Sequence, residues 1–512
     1  STSLEHAMAR IPAFAELGIK RVVSGPITHT PDGNFLMGPA PGLRNFWLDC
    51  AASIGVTQGP GAGKYLAQWM VHGQSEINVR EMDPRRFGDW ALGDYTLDKS
   101  IDEYQEMYQV RFPGEFREAG RPQRTTPLYR KLKDRGAVYA EAFGWERPKW
   151  FAPDGVEEAY SFRRTNWFAP VGEECKAVRE RVGVLDLSSF AKFEVSGRDA
   201  AALLDRLFAN RLPRRAGGIA LAHMLSEDAM IQSECTVTRL GDERFYLLSA
   251  AAAELHDLDL LEQGRRAGEQ AEIANVTDDF GVLVLTGPRA RDVLGQVTDA
   301  DLANAAFPWL TAQEIAVDGV ALRALRVSYA GELGWELHAP MAELARVYDA
   351  VMAAGEAHGI ANFGAYALNA LRLEKAYKGW GAELTNEITP VEADIERFVR
   401  MDKGEFVGRA ALARRREEGA ALQCVYLAVA DGDNDPRGNE PVYEVGGGER
   451  IVGVTTSGGY GYAVAKTLAF AYVEPRLATP GSRLEIELLG ARRAAEVLAA
   501  PAYDPANARL RA

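Results

Sequence analysis

The spacing of hydrophobic positions changes several times along the chain. In RDAAALLDRLF (198–208), Leu203, Leu204, Leu207 and Phe208 recur at helical spacing and predict an amphipathic helix. In TVTRLGDERFYLLS (236–249) two short strand patterns flank a Gly-Asp turn. From about residue 157 to 415, helical and strand patterns of this kind alternate. Beyond about residue 420 the runs CVYLAVA, ERIVGVTTSGG, TLAFAYV and SRLEIELL are strand-like and separated by glycine turns, which predicts a small barrel or sandwich. Residues 1 to about 80 instead carry Gly and Pro turn signals and finish in a helical pattern around Leu66, Ala67 and Trp69. Residues 81–156 are rich in aromatics and charge. Within them, 111–135 gathers Arg111, Arg117, Arg121, Arg124, Arg130, Lys131, Lys133 and Arg135 against Glu115, Glu118 and Asp134, which reads as a connecting segment with a solvated or interdomain face.

Composition narrows the class. At 512 residues the chain exceeds one core, and roughly 150 residues per domain gives about three domains. Hydrophobic residues at 47% and charged residues at 25% are ordinary for a soluble globular protein. A formal charge of −14 argues against general nucleic-acid binding, which needs a basic face. Cys50, Cys175, Cys235 and Cys424 are far apart, which fits reduced thiols in a cytoplasm or mitochondrial matrix and leaves no cysteine zinc site, so no metal is expected. The opening STSLEHAMARIPAF lacks a secretory-signal layout. No apolar run approaches the ~20 residues of a membrane span.

The densest glycine run is GVTQGPGAGKY (55–65). Its Gly63-Lys64 pair suggests a phosphate loop, but Gln58 and Tyr65 stand where that motif needs a glycine and a serine or threonine. The dinucleotide fingerprint G-x-G-x-x-G is absent as well. Two readings stay open for the bare pattern: glycines ahead of a helix that let backbone amides approach a ligand, or a loop packed tightly beneath a helix.

GPITHTPDGNFLMGPAPGLRNFWLDC followed by GVTQGPGAGKYLAQW is similar to the C-terminal part of the flavin domain in dimethylglycine and sarcosine dehydrogenases. The resemblance implies that Thr57, Gln58, Gly59 and Pro60 lie in a loop against the flavin ring of FAD. That family's nucleotide-binding βαβ unit, flavin-attachment histidine and amine-site residues are not found here. A missing N-terminal segment or a separate flavin-binding subunit is therefore implied.

A second resemblance covers the rest. RVGVLDLSSFAKFEVSGRDAAALL (181–204), MLSEDAMIQSECTVTRL (224–240), VLTGPRARDVL (284–294) and RVSYAGELGWELHAP (326–340) are similar, in order, to the glycine-cleavage T-protein family, and the helix GAYALNALRLEKAYKGWGAELTNEITPVEA (364–393) follows. ERPKWF (146–151) and FPW (307–309) favour the dehydrogenase-fused branch. The resemblance implies that Glu336 is the carboxylate for the pterin of tetrahydrofolate, that Tyr329 flanks the pocket, and that catalytic Glu234 stands near the folate nitrogen that accepts the one-carbon unit. A carboxylate suits adjacent pterin N–H donors, and one beside the reacting nitrogen stabilises developing positive charge. Three positions depart from the pattern: Glu234 replaces an aspartate and reaches roughly 1 Å further, Leu221 replaces a tyrosine of related oxidases, and Leu368 replaces an arginine of free T-proteins. Arg372 and Glu374 are read as structural pairs on their helix.

The expected fold is α+β, with a partial flavin-oxidoreductase domain (1–80), a connecting domain (81–156), a T-protein-like folate module (157–415) and a small C-terminal β-barrel (416–512). Trp145, Trp150 and Phe151 are expected to wedge between the flavin and folate parts. The implied function is oxidative N-demethylation of a small methylated amine with transfer of the carbon to tetrahydrofolate. The alternatives are a subunit with a decayed folate pocket and a stand-alone folate-dependent transferase.

Overall fold

The computed structural model describes residues 2–446 and 448–512. Helix α1 (Thr2–Arg10) and a long exposed stretch precede an antiparallel pair, β1 (Leu36–Pro39) and β2 (Trp47–Cys50). Helix α2 (Gly55–His72) packs on this pair. Ala62, Tyr65, Leu66 and Trp69 form its apolar stripe at helical spacing and meet Phe35, Met37 and Val79. The glycine-rich stretch 55–65, expected as a loop, is thus the first half of α2. Burial of that stripe outweighs a helix cost of about 1 kcal/mol per glycine. Gly38, at φ +139, runs beneath the Trp69 ring, where a Cβ would come within 2.7 Å of a ring atom.

Helix α3 (Asp94–Glu106) follows, then α4 (Tyr129–Lys133) and the hairpin β3 (Ala137–Ala142) and β4 (Trp145–Phe151). Trp150 is fully buried among Val171, Cys175, Val178 and Phe363. The Arg124 guanidinium lies 4.2 Å from the Trp145 ring centre and pairs with Glu254 and Asp278, each at 2.9 Å. Cations of the basic stretch are therefore spent on neighbouring elements.

Next come α5 (Phe168–Glu180), β5 (Val182–Asp186), β6 (Ala191–Ser196), α6 (Ala200–Leu207), β7 (Ile219–Leu225), β8 (Ile231–Arg239), β9 (Arg244–Ser249), α7 (Glu254–Gly264) and β10 (Glu272–Asn275). They continue into β11 (Phe280–Thr286), α8 (Ala290–Leu294), β12 (Ala312–Val317), β13 (Val320–Leu325), β14 (Gly334–Pro340), α9 (Leu344–Gly355), β15 (Ile360–Asn362), α10 (Ala365–Glu374) and α11 (Arg409–Glu418). One sheet has the order β10-β6-β9-β8-β7 and the other β12-β13-β14-β11-β5-β15. All pairings within them are antiparallel except β15 on β5. Ile219, Tyr246 and Leu248 of the first sheet pack on Leu325 of the second, so the two sheets meet face to face. After β11 the chain turns at Gly287 (φ +131), where a Cβ would sit 2.6 Å from the Arg181 carbonyl oxygen.

Helix α10 ends at Glu374, whereas the sequence reading carried it to residue 393. Ala376 takes a positive φ of 52°, and Gly379, Gly381 and Pro390 follow within turns. The tail closes a six-stranded barrel in the order β16-β19-β18-β17-β20-β21, formed by β16 (Gln423–Val429), β17 (Pro441–Glu444), β18 (Ile451–Gly461), β19 (Lys466–Val473), β20 (Arg483–Leu488) and β21 (Ala491–Val497). The architecture is α+β with a C-terminal barrel.

Candidate functional site

Side chains on one strand face recur at every second residue, and directly paired residues share a face. Thr238 pairs with Tyr246 and Thr236 with Leu248, so Glu234 shares their face, which looks toward the second sheet. Leu325 pairs with Glu336, placing Glu336 on the surface that looks back. The two carboxylates named from sequence therefore project into the space between the sheets.

Each is backed by a fully buried histidine. His223, directly opposite Glu234 in the β7–β8 ladder, places Nε2 2.9 Å from Glu234 Oε2, and its Nδ1 is buried without a partner. On β14, His338 Nε2 lies 3.4 Å from Glu336 Oε2. The Tyr246 hydroxyl lies 3.1 Å from His338 Nδ1. Burial holds His338 below the usual imidazole value, while its bond to Glu336 pulls the other way. Beneath the same face, burial pushes Lys192 down to about 7, and its ammonium donates to the carbonyls of Ser188 and Phe190.

Glu234 and Glu336 retain 21% and 14% side-chain exposure, and a histidine is the one hydrogen-bond partner each carboxylate shows among the described residues. Two buried carboxylates elsewhere are matched by cations: Glu374 takes Arg179 at 2.7 Å, and Glu383 takes Arg372 at 3.0 Å. Two half-open carboxylates without a cation suit a ligand that brings its own N–H donors. That chemistry fits a reduced pterin.

Tyr329 is 38% exposed, stacks on Tyr377 with ring centres 6.0 Å apart, and donates its hydroxyl to the Lys378 carbonyl at 3.2 Å. Desolvation of that hydroxyl raises its pKa, with Glu234 and Glu383 adding to the shift, so the phenol stays protonated. The Tyr377–Leu384 turn is anchored by Glu383, which accepts from Gly379 N at 2.8 Å and from the hydroxyls of Thr456 and Ser457 at 2.8 and 2.5 Å. Arg372 and Glu374 do form pairs, as expected, but their partners come from other elements rather than from α10. Leu221 lies two residues from His223 on the same face of β7, and half-buried Leu368 packs into the apolar cluster around Trp150 and Phe363.

Thr57, Gln58, Gly59 and Pro60 occupy the first turns of α2, with Thr57, Gly59 and Pro60 exposed and Gln58 half-buried. The amides of Thr57 and Gln58 already donate to the Ile54 carbonyl at 3.0 and 3.1 Å. A Cβ added at Gly59, Gly61 or Gly63 would meet nothing within 4 Å. Gly59 and Gly63 share one side of the helix, which is geometrically free to be one wall of a flavin site. The residues that sequence reasoning passed over are His223, His338 and Tyr246; single histidines in strands carry no pattern, and their partners are cross-strand or distant.

A cavity of about 430 Å³ lined by Asp205, Arg211, Arg214, Arg239 and Lys403 lies elsewhere. Arg239 is five residues beyond Glu234 on β8, hence on the opposite face. Among the described residues, no group of His, Cys, Asp or Glu could hold a metal ion, and no helix is long and apolar enough to cross a membrane.

Comparison with known proteins identifies the family of each part of the chain. Residues 128–403 match the GCVT N-terminal domain family and 423–504 the glycine cleavage T-protein C-terminal barrel domain. Residues 2–69 match FAD dependent oxidoreductase and 72–126 the FAD dependent oxidoreductase central domain. The chain is 43% identical over 517 residues to mitochondrial dimethylglycine dehydrogenase of Mus musculus, covering 100% of this chain and 59% of that protein. It is 34% identical over 560 residues to mitochondrial sarcosine dehydrogenase of Mus musculus, covering 99% of this chain and 60% of that one. The crystal structure of the glycine cleavage system aminomethyltransferase T from Bartonella henselae shares the fold, with a TM-score of 0.64 at 24% identity over 75% of this chain and 98% of that one.

Proposed function

Since the chain belongs to the GCVT N-terminal domain family and resembles dimethylglycine and sarcosine dehydrogenases along its whole length, we propose that it supplies the folate module and part of the flavin domain of an enzyme that oxidatively N-demethylates a small methylated amine. The carbon passes to tetrahydrofolate in this reading. Flavin, when bound, supplies the electron acceptor for oxidation of the N-methyl group. Glu336 accepts the pterin N–H donors, Tyr329 flanks the ring, and Glu234 holds the reacting nitrogen and offsets the positive charge that develops there. Thr57, Gln58, Gly59 and Pro60 contribute one edge of the FAD site, and the remaining walls come from a further segment of the polypeptide or from a flavin-binding subunit. Residues 1–80, 81–156, 157–415 and 416–512 act as flavin, connecting, folate and barrel units. The compartment is a mitochondrial matrix or a bacterial cytoplasm, according to the host.

The observation that carries this reading is the pair of cation-free carboxylates, Glu234 and Glu336, facing each other across two sheets. The test is a titration of the chain with tetrahydrofolate. A charged acceptor is worth about 1.5–3 kcal/mol against roughly 1 for a neutral one, so Glu336→Gln is expected to weaken binding on the order of tenfold or more. Glu234→Gln should leave binding nearly unchanged and instead increase formaldehyde release by the enzyme reconstituted with its flavin part. Unchanged affinity in Glu336→Gln would remove the pocket assignment. Apolar Leu221 and Leu368 favour a second reading, a subunit whose folate pocket has decayed and which supports a flavin dehydrogenase. Absence of folate binding by the parent chain would select it.

A further inference from the structure

Glu234 and His223 sit directly opposite each other on β8 and β7, on the face that looks into the space between the sheets. The contact is short, 2.9 Å from Nε2 to Oε2, and it joins a fully buried ring to a carboxylate with 21% exposure. The ring has no freedom to follow solvent. Phe398 lies against it with ring centres 5.9 Å apart, and its Nδ1 is sealed without a partner. An imidazole with one sealed nitrogen is most stable with a lone pair there, which leaves its hydrogen on the nitrogen facing the carboxylate. His223 Nε2–H therefore donates to Glu234. The contact occupies Oε2, so Oε1 is the oxygen left for a ligand.

A glutamate carries three side-chain torsions and an open carboxylate on a strand face samples several of them. One fixed donor at the base of the site removes most of that freedom, and misplacement by about 1 Å in such a site costs on the order of a hundredfold in rate. We propose that His223 is a positioning residue for the one-carbon transfer: by holding Oε2 it sets the reach of Glu234 and presents Oε1 to the reacting nitrogen. The glutamate and the histidine then act as one unit in which the extra methylene is drawn back by the cross-strand donor. This inference rests on the folate reading for its chemistry and on the strand geometry alone for the positioning.

Two measurements on the full chain separate these layers. The first is structural. His223→Leu keeps the volume roughly filled and removes the donor, whereas His223→Gln keeps an N–H donor at similar reach. Crystal structures of the two variants should show the Glu234 carboxylate displaced in His223→Leu and retained in His223→Gln. If the carboxylate keeps its place in His223→Leu, the proposal fails regardless of any ligand.

The second is kinetic, in the enzyme reconstituted with its flavin part. His223→Leu is expected to lower the turnover of carbon transfer about tenfold, with the tetrahydrofolate dissociation constant changed less than about threefold, and His223→Gln to recover most of the loss. In a Glu234→Asp background, where the shorter side chain no longer reaches Nε2, His223→Leu should change turnover less than about twofold. Equal losses in both backgrounds would mean that the histidine supports the fold alone, and the proposal is overturned. If the carboxylate moves in His223→Leu while the parent binds no tetrahydrofolate, the folate reading falls and the positioning stands.

Discussion

The folate module and the N-terminal segment treat their apolar residues in opposite ways. In the folate module, Phe208, Phe307 and Trp335 are completely buried, and Arg179, Glu332 and Glu374 form a cross-element ion cluster with at most 5% exposure. In the N-terminal segment, Val22, Val23 and Val56 are 84%, 74% and 98% exposed, and Leu17 and Ile19 are also uncovered. One driving force acts on both regions, since burying apolar surface yields about 25 cal/mol per Å². The difference lies in the partners each region has. The module supplies both faces of each of its interfaces, while the N-terminal segment shows one face of an interface whose other face the proposed reading assigns to the rest of the flavin fold. An apolar patch of that kind marks an interaction surface.

The comparison breaks most sharply at Arg179. It donates to Glu374 Oε2 at 2.7 Å, to Glu332 Oε1 at 3.0 Å and to the carbonyls of Ala330 and Leu371, joining α5, α10 and the β13–β14 connection. Arg179→Met leaves buried Glu374 without its cation, while Glu332 keeps Arg509 at 2.8 Å, and breaking a buried pair in this way costs about 3–5 kcal/mol. Urea unfolding should show a matching fall in midpoint. In the N-terminal segment the corresponding change, Lys64→Met, removes an ion pair to Glu76 whose side chains are 55% and 53% exposed. That variant should unfold with the parent, because an exposed pair is screened by water. If the two variants behave alike, the contrast between a self-sealed module and an open segment is wrong.

This contrast also explains what could be read from the chain in advance. The module's strands and the helix near 198–208 were legible because their buried faces impose a period. β17 and β21 were not, since PVYE is short and ARRAAEV is largely polar; barrel closure, rather than its own apolar content, makes the latter a strand. Only the second half of helix α2 was read as helical; its first half was read as a loop because the glycines and Pro60 hide a stripe that becomes meaningful only against β1. At the site, Glu234, Glu336 and Tyr329 came from motif resemblance. Their histidines did not, because cross-strand register, invisible in a linear string, is what brings His223 to Glu234.

A smaller effect is expected where the β3–β4 hairpin joins the module. Glu174 is buried and accepts from Phe151 N at 2.7 Å and Gly364 N at 2.8 Å, and among the described residues no cation pairs with it. Burial pushes its carboxyl up to about 8 from 4.5, against the pull of the two amides. The folded protein then binds a proton that the unfolded chain has released between these values, so this contribution to stability is complete below pH 4.5 and lost as pH rises through 8. Glu174→Gln should flatten that part of the pH–stability curve. A parent curve that stays flat from pH 5 to 8, with the same shape as that of Glu174→Gln, would show instead that the two amides dominate and the carboxylate is ionised.

The smallest effect on the isolated chain should come from Val56, and it sharpens the comparison best. The side chain is 98% exposed near the start of α2, so truncation removes almost no burial. Valine and serine also have similar helix propensities. Val56→Ser is therefore expected to change the unfolding free energy of this chain by less than about 0.5 kcal/mol. The same substitution in a complex with the flavin-binding remainder should behave differently, because a valine buried there would contribute about 1.5–3 kcal/mol. The measurement is a pair of thermal unfolding curves, one for the chain and one for the reconstituted enzyme, each with and without the substitution. A large effect in the chain alone would show that α2 is already packed on this side. A negligible effect in both would show that this side of α2 faces solvent throughout, and the flavin wall would then have to be sought on another face of the N-terminal segment.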